Sequence, residues 1–173
     1  MNYLDFGTIF TRFVELLYAL GFFSELLVLI LVVFLISTNT NALLYFFIGS
    51  SINSLSNRLL KPFFKDPRPT GPIKFLNSET FPKKVEYTKN SNYYGMPSGH
   101  SQNVAFSLAY LYWTIRESNM LKMVSVLIGA LTVFERWWFR NHTIVQLAVG
   151  IAVGIIMAGF TVWLRERFSG RRH

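Results

Sequence analysis

Apolar stretches recur along this 173-residue chain, and several approach the roughly 20 residues an α-helix needs to cross a bilayer. The run from Leu26 to Ile36 carries no polar side chain. Lipid offers no partner to a backbone N–H or C=O, so each such stretch reads as a helix that satisfies its own backbone. The pattern predicts an all-α, polytopic membrane helical bundle with about five transmembrane helices, at residues 21–37, 42–60, 100–116, 121–138 and 143–164. Ser37-Thr38-Asn39-Thr40-Asn41 reads as a tight polar turn between the first two. Residues 3–20 mix apolar and polar groups, and Arg12 and Glu15, three apart, can pair on one face. They predict an N-terminal interfacial amphipathic helix, with a sixth span as the alternative.

The length suits one domain, residues 1–173. Its composition is 51% hydrophobic and 17% aromatic, diluted by a polar loop at about 61–100. There is no cysteine, hence no disulfide and no thiolate metal site. No basic n-region precedes the first apolar run and no small-residue cleavage site follows it, so that span is expected to be an uncleaved anchor. The net charge of +8 sits in loops beside apolar spans. That placement points to anionic headgroups and phosphorylated substrates rather than nucleic acid. Nothing in the sequence sets an oligomeric state.

Three polar clusters stand where predicted helices begin or end: Lys61-x6-Arg68-Pro69, Pro97-Ser98-Gly99-His100, and Arg136-x5-His142. With these span boundaries all three fall on one side of the membrane, so they can meet. Asn53, Asn57 and Lys61 recur every four residues and share one helical face. Such a stripe belongs in the bundle interior or against a wet cavity, either as interhelical hydrogen bonds or as a wall of the site.

In one continuous helix Arg136 and His142 would point about 240° apart at 100° per residue. Their convergence requires a break within 137–141, and Asn141 is the expected N-cap of the last helix. His142 would then sit in its first turn, where the helix dipole favours a neutral imidazole, with Gln146 one turn later within reach. Pro97 is tolerated only just before a helix. Gly99 admits close backbone approach, and the helix start offers unpaired N–H groups to an anion. Lys61, Arg68 and Arg136 would supply cations, arginine in a planar fork. Gly150, Gly154 and Ala158 form a small-residue face for close helix packing.

These three motifs resemble the signature motifs of the type 2 phosphatidic acid phosphatase (PAP2) superfamily, over about residues 42–164, with 165–173 left as a basic tail. The resemblance implies a metal-independent lipid phosphatase without cofactors. In it His142 attacks phosphorus to form a phosphohistidine, and His100 protonates the leaving oxygen. Lys61, Arg68, Ser98, Gly99 and Arg136 hold the phosphate. Two positions depart from the family pattern: Glu135 where Ser is usual, and Gln146 where Asp is usual. His142-Thr143-x-x-Gln146 and Tyr94-Gly95-Met96-Pro97-Ser98 look like the dolichyl-diphosphatase branch, which also carries Gln there. Glu135 reads either as the source of the missing carboxylate or as the ion-pair partner of a nearby arginine.

The implied substrate is a phosphorylated lipid, a polyprenyl (dolichyl-type) diphosphate. The alternatives are a broad phosphatidate or lipid-phosphate phosphatase, a phosphotransferase, and a catalytically silent membrane scaffold. The expected location is the endoplasmic reticulum or a bacterial inner membrane. Ten Lys/Arg fall on the site's side and six on the other, but phosphate binding accounts for several of the ten. The resemblance puts the site on the lumenal or periplasmic face.

Overall fold

The computed structural model describes residues 6–69, 94–115 and 119–169. These form five helices: α1 (Phe6–Ile36), α2 (Thr40–Phe64), α3 (Gly99–Thr114), α4 (Asn119–Trp138) and α5 (Ile144–Phe168). The expected all-helical bundle is found, with corrections at its N-terminal side. Residues 6–20 are not a separate helix; they run straight into the first predicted span. No proline or turn sequence separates the two parts. Gly21, at the junction, is helical, and the side chain of Glu135 on α4 occupies the place its Cβ would take. The resulting 31-residue helix is about 46 Å long at 1.5 Å per residue, longer than the ~30 Å of hydrocarbon a span must cover. The expected Arg12–Glu15 pair forms at 3.1 Å on its exposed face.

The turn after α1 is shorter than its sequence suggested. Asn39 caps α2, its side-chain oxygen accepting from Ala42 N–H at 3.0 Å, so Thr40 and Asn41 already belong to the helix. α2 runs past Lys61, carries Pro62 in its last turns, and stops at Lys65 in the left-handed region. The helix ends form two layers. At one end, Arg165 donates to Thr114 Oγ1 at 3.1 Å and Ser169 to Asn41 Oδ1 at 3.0 Å, joining the end of α5 to the end of α3 and the start of α2. At the other end, the C-termini of α2 and α4 meet the N-termini of α3 and α5. Every sequence motif lies there.

The interior has two zones. Toward the first end, Val28, Val32, Ile36, Phe46, Phe106, Tyr110 and Leu111 form an apolar core, and Tyr110 donates to Ala42 C=O at 2.7 Å. Toward the motif end many buried side chains are polar, Ser24, Asn53, Asn57, Gln102, Thr132, Glu135 and Gln146 among them, beside the apolar Phe139 and Leu147. The outer faces are the reverse, with Leu44, Phe47, Leu55, Leu59, Leu127, Ile156 and Trp163 exposed. An exposed apolar surface of this extent calls for an apolar surrounding. α1 (from Ile9) and α5 are long and apolar enough to cross a membrane. α2 is diluted by its asparagine stripe, and α3 has only 16 residues with Ser101, Gln102 and Asn103 in its first turns.

α3 and α5 form the most extensive helix pair. Gly150, Gly154 and Ala158 line it, as their spacing predicts, and all three are buried. A Cβ at Gly154 would meet Gln102 C=O and Phe106 N, and one at Gly150 would meet Ser101 Oγ and Ser98 C=O. Backbone atoms cannot rotate away, so the glycines set the helix separation. Gly154→Ala should therefore destabilise the protein by roughly 1–3 kcal/mol, the usual cost of overpacking. Gly159→Ala, whose added methyl would rest at 3.6 Å from Trp113, should be neutral or slightly stabilising. Thermal unfolding in detergent checks the pair; equal melting temperatures would show that α3 and α5 can separate without cost.

Candidate active site

The link between α4 and α5 turns the chain so that Arg136 and His142 converge. Arg140 adopts φ 54°, Arg140 N–H bonds to Trp137 C=O and Asn141 N–H to Arg136 C=O, each at 3.0 Å. This is a Schellman stop with arginine in the left-handed position where glycine is usual. His142 N–H also bonds to Arg136 C=O, at 3.1 Å. The break expected within 137–141 is present, but the cap is not Asn141. Thr143 caps α5: its hydroxyl accepts Gln146 N–H, while Gln146 Oε1 accepts Thr143 N–H, both at 3.2 Å. A threonine three residues before glutamine makes a reciprocal capping box, which Asn141 cannot form. His142 therefore precedes the helix instead of lying in its first turn.

The His142 ring is almost fully buried. Its Nδ1 lies 3.2 Å from Gln146 Oε1. Burial chiefly pushes its pKa down to about 3; Arg68 adds to this, while the Gln146 hydrogen bond opposes it. The ring is thus neutral at ordinary pH, as the sequence reading required. Lys61, Arg68 and Arg136 all lie within electrostatic range of it, so the three clusters meet as expected.

Ser98 caps α3 through its backbone, and Ser98 N–H bonds to Gln146 C=O at 3.1 Å. Its hydroxyl is buried and makes no hydrogen bond. Arg136 Nη2 is likewise buried without a hydrogen-bond partner. Glu135 Oε1, next to Arg136, is a third such atom; orphaned polar atoms gathered in one place mark where a polar ligand would bind. At Gly99 an added Cβ would lie 3.5 Å from Asn57, so packing within the protein does not demand glycine there. His100 stands at the first turn of α3 with Nε2 at 3.4 Å from Glu25 Oε2. Beside it a cleft of about 320 Å³ opens between α1, α2 and α3, lined by Phe22, Phe23, Leu26 and Leu29 as well as Glu25 and His100.

The asparagine stripe serves both expected purposes. Asn53 and Asn57 bond to Gln102 on α3, and Asn57 also to Pro97 C=O, locking α2 to the start of α3. Lys61, at the end of the stripe, lies within electrostatic range of His142 and His100.

Two carboxylates at the site were not anticipated. Glu25 joins His100 and also accepts from Asn103 at 2.8 Å. The signal was a lone charge in an apolar stretch, which is by default a candidate functional group. Asp66 accepts from Gln146 Nε2 at 2.7 Å. That contact joins residues 80 apart, and no local pattern announces it. Glu135, by contrast, pairs with Arg136 at 2.9 Å and does not bond His142, as the ion-pair reading has it. Among the described residues no three His, Cys, Asp or Glu gather into a metal-ligand set. Lys74, Lys83, Lys84, Lys89, Arg116, Arg171, Arg172 and His173 lie outside the described residues.

Several comparisons bear on this geometry. The chain is 28% identical over 118 residues to a dolichyldiphosphatase of Saccharomyces cerevisiae, covering 62% of this chain and 45% of the relative. It is 30% identical over 122 residues to a lipid A 4'-phosphatase of Porphyromonas gingivalis, covering 68% of this chain and 50% of the relative. It is 27% identical over 119 residues to lipid phosphate phosphatase delta of Arabidopsis thaliana, covering 64% of this chain and 28% of the relative. The aligned part is therefore at most half the length of each. The fold matches the crystal structure of a transmembrane PAP2-type phosphatidylglycerolphosphate phosphatase from Bacillus subtilis, with TM-score 0.65 and 17% identity, over 95% of this chain and 80% of that one. The sequence profile of the PAP2 superfamily matches residues 26–169, a stretch that contains all three clusters converging on His142, and the chain belongs to that superfamily.

Proposed function

We propose that the protein spans the membrane with all five helices and removes a terminal phosphate from a membrane lipid through a phosphohistidine. The observation that carries this reading is the buried, neutral His142 ring, bonded at Nδ1 and within electrostatic range of Lys61, Arg68 and Arg136. With Nδ1–H donating to Gln146, the Nε2 lone pair is free to form the N–P bond while the bond from phosphorus to the leaving oxygen breaks. The cations, Ser98 Oγ and the N–H groups at the start of α3 stabilise the equatorial oxygens of the transition state. His100, entering the step as an imidazolium beside Glu25, gives one proton to the leaving oxygen and becomes neutral. It then takes one from the water that attacks phosphorus, and the N–P bond breaks. Glu25 orients the His100 ring. No step calls on a metal or cofactor.

The apolar cleft beside His100 supports a leaving group with a hydrocarbon chain. A polyprenyl diphosphate of the dolichyl type is the substrate we favour, supported by Gln146 in the third motif and by the similarity to a dolichyldiphosphatase. The similarity to a lipid A 4'-phosphatase favours a lipid phosphomonoester as the second reading. The motif end is proposed to face the lumen or periplasm, with Arg165 and Arg167 at the cytoplasmic end of α5.

Phosphate release from purified protein in detergent, on a panel of dolichyl diphosphate, undecaprenyl diphosphate, phosphatidic acid, phosphatidylglycerophosphate and lipid A, tests this reading. The first two should be turned over fastest, and His142→Ala should reduce turnover by at least about a thousandfold, as loss of a nucleophile does. Unchanged release in His142→Ala would refute the nucleophile. Activity should survive a chelator and fall with vanadate, which mimics pentavalent phosphorus; loss on chelation that magnesium or zinc restores would refute metal independence.

Folding should also couple to protons at His142. An unfolded histidine binds a proton below about pH 6.5, whereas the folded ring does so only near pH 3. The unfolded state therefore binds more protons between these values. This contribution to stability is fully present above pH 6.5 and is lost as pH falls toward 3, by up to ~1.4 kcal/mol per pH unit. Denaturation of wild type and His142→Asn at pH 7.5 and 5 should show the smaller pH dependence in the variant; equal dependence would mean that the ring is protonated in the fold.

A further inference from the structure

The amide of Gln146 has its full set of hydrogen bonds. Oε1 accepts from Thr143 N–H and faces His142 Nδ1, each at 3.2 Å. Nε2 faces two acceptors, Asp66 Oδ2 at 2.7 Å and Pro67 C=O at 2.8 Å. The segment carrying those acceptors is tied down as well: Gly95 N–H bonds to Asp66 C=O at 2.7 Å, and Pro67 bridges to Tyr94. Gly95 packs against the flat of the amide, where any Cβ would collide with it. The amide is buried, clamped on its face, and bonded at both ends.

An amide can be turned over at little steric cost, since its O and N are nearly equal in size. Turned over here, Oε1 would face a carboxylate and a carbonyl, neither with a proton to give. Nε2 would face His142 Nδ1, which could then only accept. An imidazole that accepts at Nδ1 carries its proton on Nε2 and has no lone pair there. The orientation of Gln146 thus selects the tautomer of His142. Pro67 C=O and Thr143 N–H favour the observed orientation, but only Asp66 brings a full charge, and hydrogen bonds to charged groups are roughly twice as strong as neutral ones.

From this arrangement we infer that Asp66 is a positioning residue that acts through Gln146: its carboxylate fixes the amide so that His142 carries its proton on Nδ1 and presents a bare Nε2 to phosphorus. The inference rests on the proposed role of His142 as nucleophile. It also accounts for glutamine at 146. The carboxylate is displaced by one amide from the ring, so His142 keeps an oriented donor bond without a negative charge beside it. The amide passes on part of that charge by polarisation, making Oε1 a better acceptor as positive charge builds on the phosphorylated ring. The other charged or titratable groups around His142 are Lys61 on α2, Arg68 after it, His100 on α3 and Arg136 on α4. None of them bonds to Nδ1, and the cations oppose rather than replace the effect of Asp66.

The test uses the full-length protein in detergent with Asp66→Ala, Asp66→Asn and the exchange Asp66→Asn/Gln146→Glu. The first readout needs no substrate: ¹⁵N shifts of labelled histidine report which ring nitrogen carries the proton. Wild-type His142 should be wholly in the Nδ1–H form, and Asp66→Ala should show a substantial Nε2–H population. The second is turnover on whichever lipid of the panel wild type hydrolyses fastest. Asp66→Ala should lower kcat roughly 30- to 100-fold, the scale of a misoriented catalytic group, with KM within about twofold. Asp66→Asn keeps an acceptor but loses the charge, and should lie between. The exchange variant puts a carboxylate directly on Nδ1–H. It should recover at least about tenfold over Asp66→Ala and move the acid limb of the pH–rate profile upward, because an adjacent negative charge raises the pKa of a ring that must be neutral to attack.

Asp66→Ala with unaltered kcat and tautomer overturns the inference. So does a fall in kcat with the ring still wholly Nδ1–H, which would make Asp66 only a tie for its loop. If Asp66→Ala does not fold, Asp66→Asn and the exchange variant decide on the same two readouts: a folded Asp66→Asn with wild-type kcat and an exchange variant with an unmoved acid limb would overturn it. His142→Ala separates the two readings. If that variant stays active the nucleophile assignment fails, whereas an inactive His142→Ala beside a fully active Asp66→Ala sinks only the role of Asp66.

Discussion

The close approach of α3 and α5 is the constraint on which the site depends. Gly150 and Gly154 let the helices meet at backbone distance. At that separation Ser98 N–H reaches Gln146 C=O, and Ser101 Oγ reaches Leu147 C=O at 3.1 Å. The second and third motifs are thereby held by one main-chain bond and one serine-hydroxyl bond to main chain. A side chain of any size at either glycine would move the start of α3, and with it His100, relative to His142. The small-residue face therefore sets the spacing of the motif residues as well as the packing of the fold.

Around that contact the bundle inverts the usual arrangement of a soluble domain. Its outer faces are apolar, and its buried middle near the motif end is polar. Buried polar groups are tolerated only when paired, and most here are: Gln102 with Asn53, Asn57 and Ser56, Ser24 with Thr132, and Gln146 with four partners. The exceptions among the described residues include Ser98 Oγ and Arg136 Nη2, both at the motif end. Glu135 Oε1, beside Arg136, is a further buried atom without a hydrogen-bond partner, so the exceptions gather around Arg136 and the start of α3. Ser98 Oγ and Arg136 Nη2 are donors held in place without an acceptor, the arrangement on which the proposed anion site rests.

Much of this was legible along the chain. Hydrophobic runs located all five helices, because burial in an apolar surrounding imposes a long, uncharged pattern. The four-residue spacings of Asn53-Asn57-Lys61 and Gly150-Gly154-Ala158 named two buried faces correctly, since helical periodicity turns sequence separation directly into direction. The three motifs met where a count of spans put them. What went astray was of shorter range. A separate helix over 3–20 was expected from a change in polarity, but a change in polarity does not break a helix. Asn141 is a good cap by residue type, yet Thr143 won because its partner at 146 closes a reciprocal pair.

By itself the sequence determined the class of fold, the shared face of the three motifs, and the need for a break between Arg136 and His142, since each follows from helical geometry and the cost of polar groups in lipid. The carboxylates were another matter. Glu135, next to Arg136 in sequence, was open to two roles, and only packing decided between them: its side chain fills the space over Gly21 and pairs with its neighbour. Asp66 and Glu25 became site residues only when α1 and the end of α2 were brought against α5 and α3, across 80 and 75 residues of chain. Contacts between segments that distant obey no periodicity. They are set by how whole helices pack, and the tertiary structure alone records them.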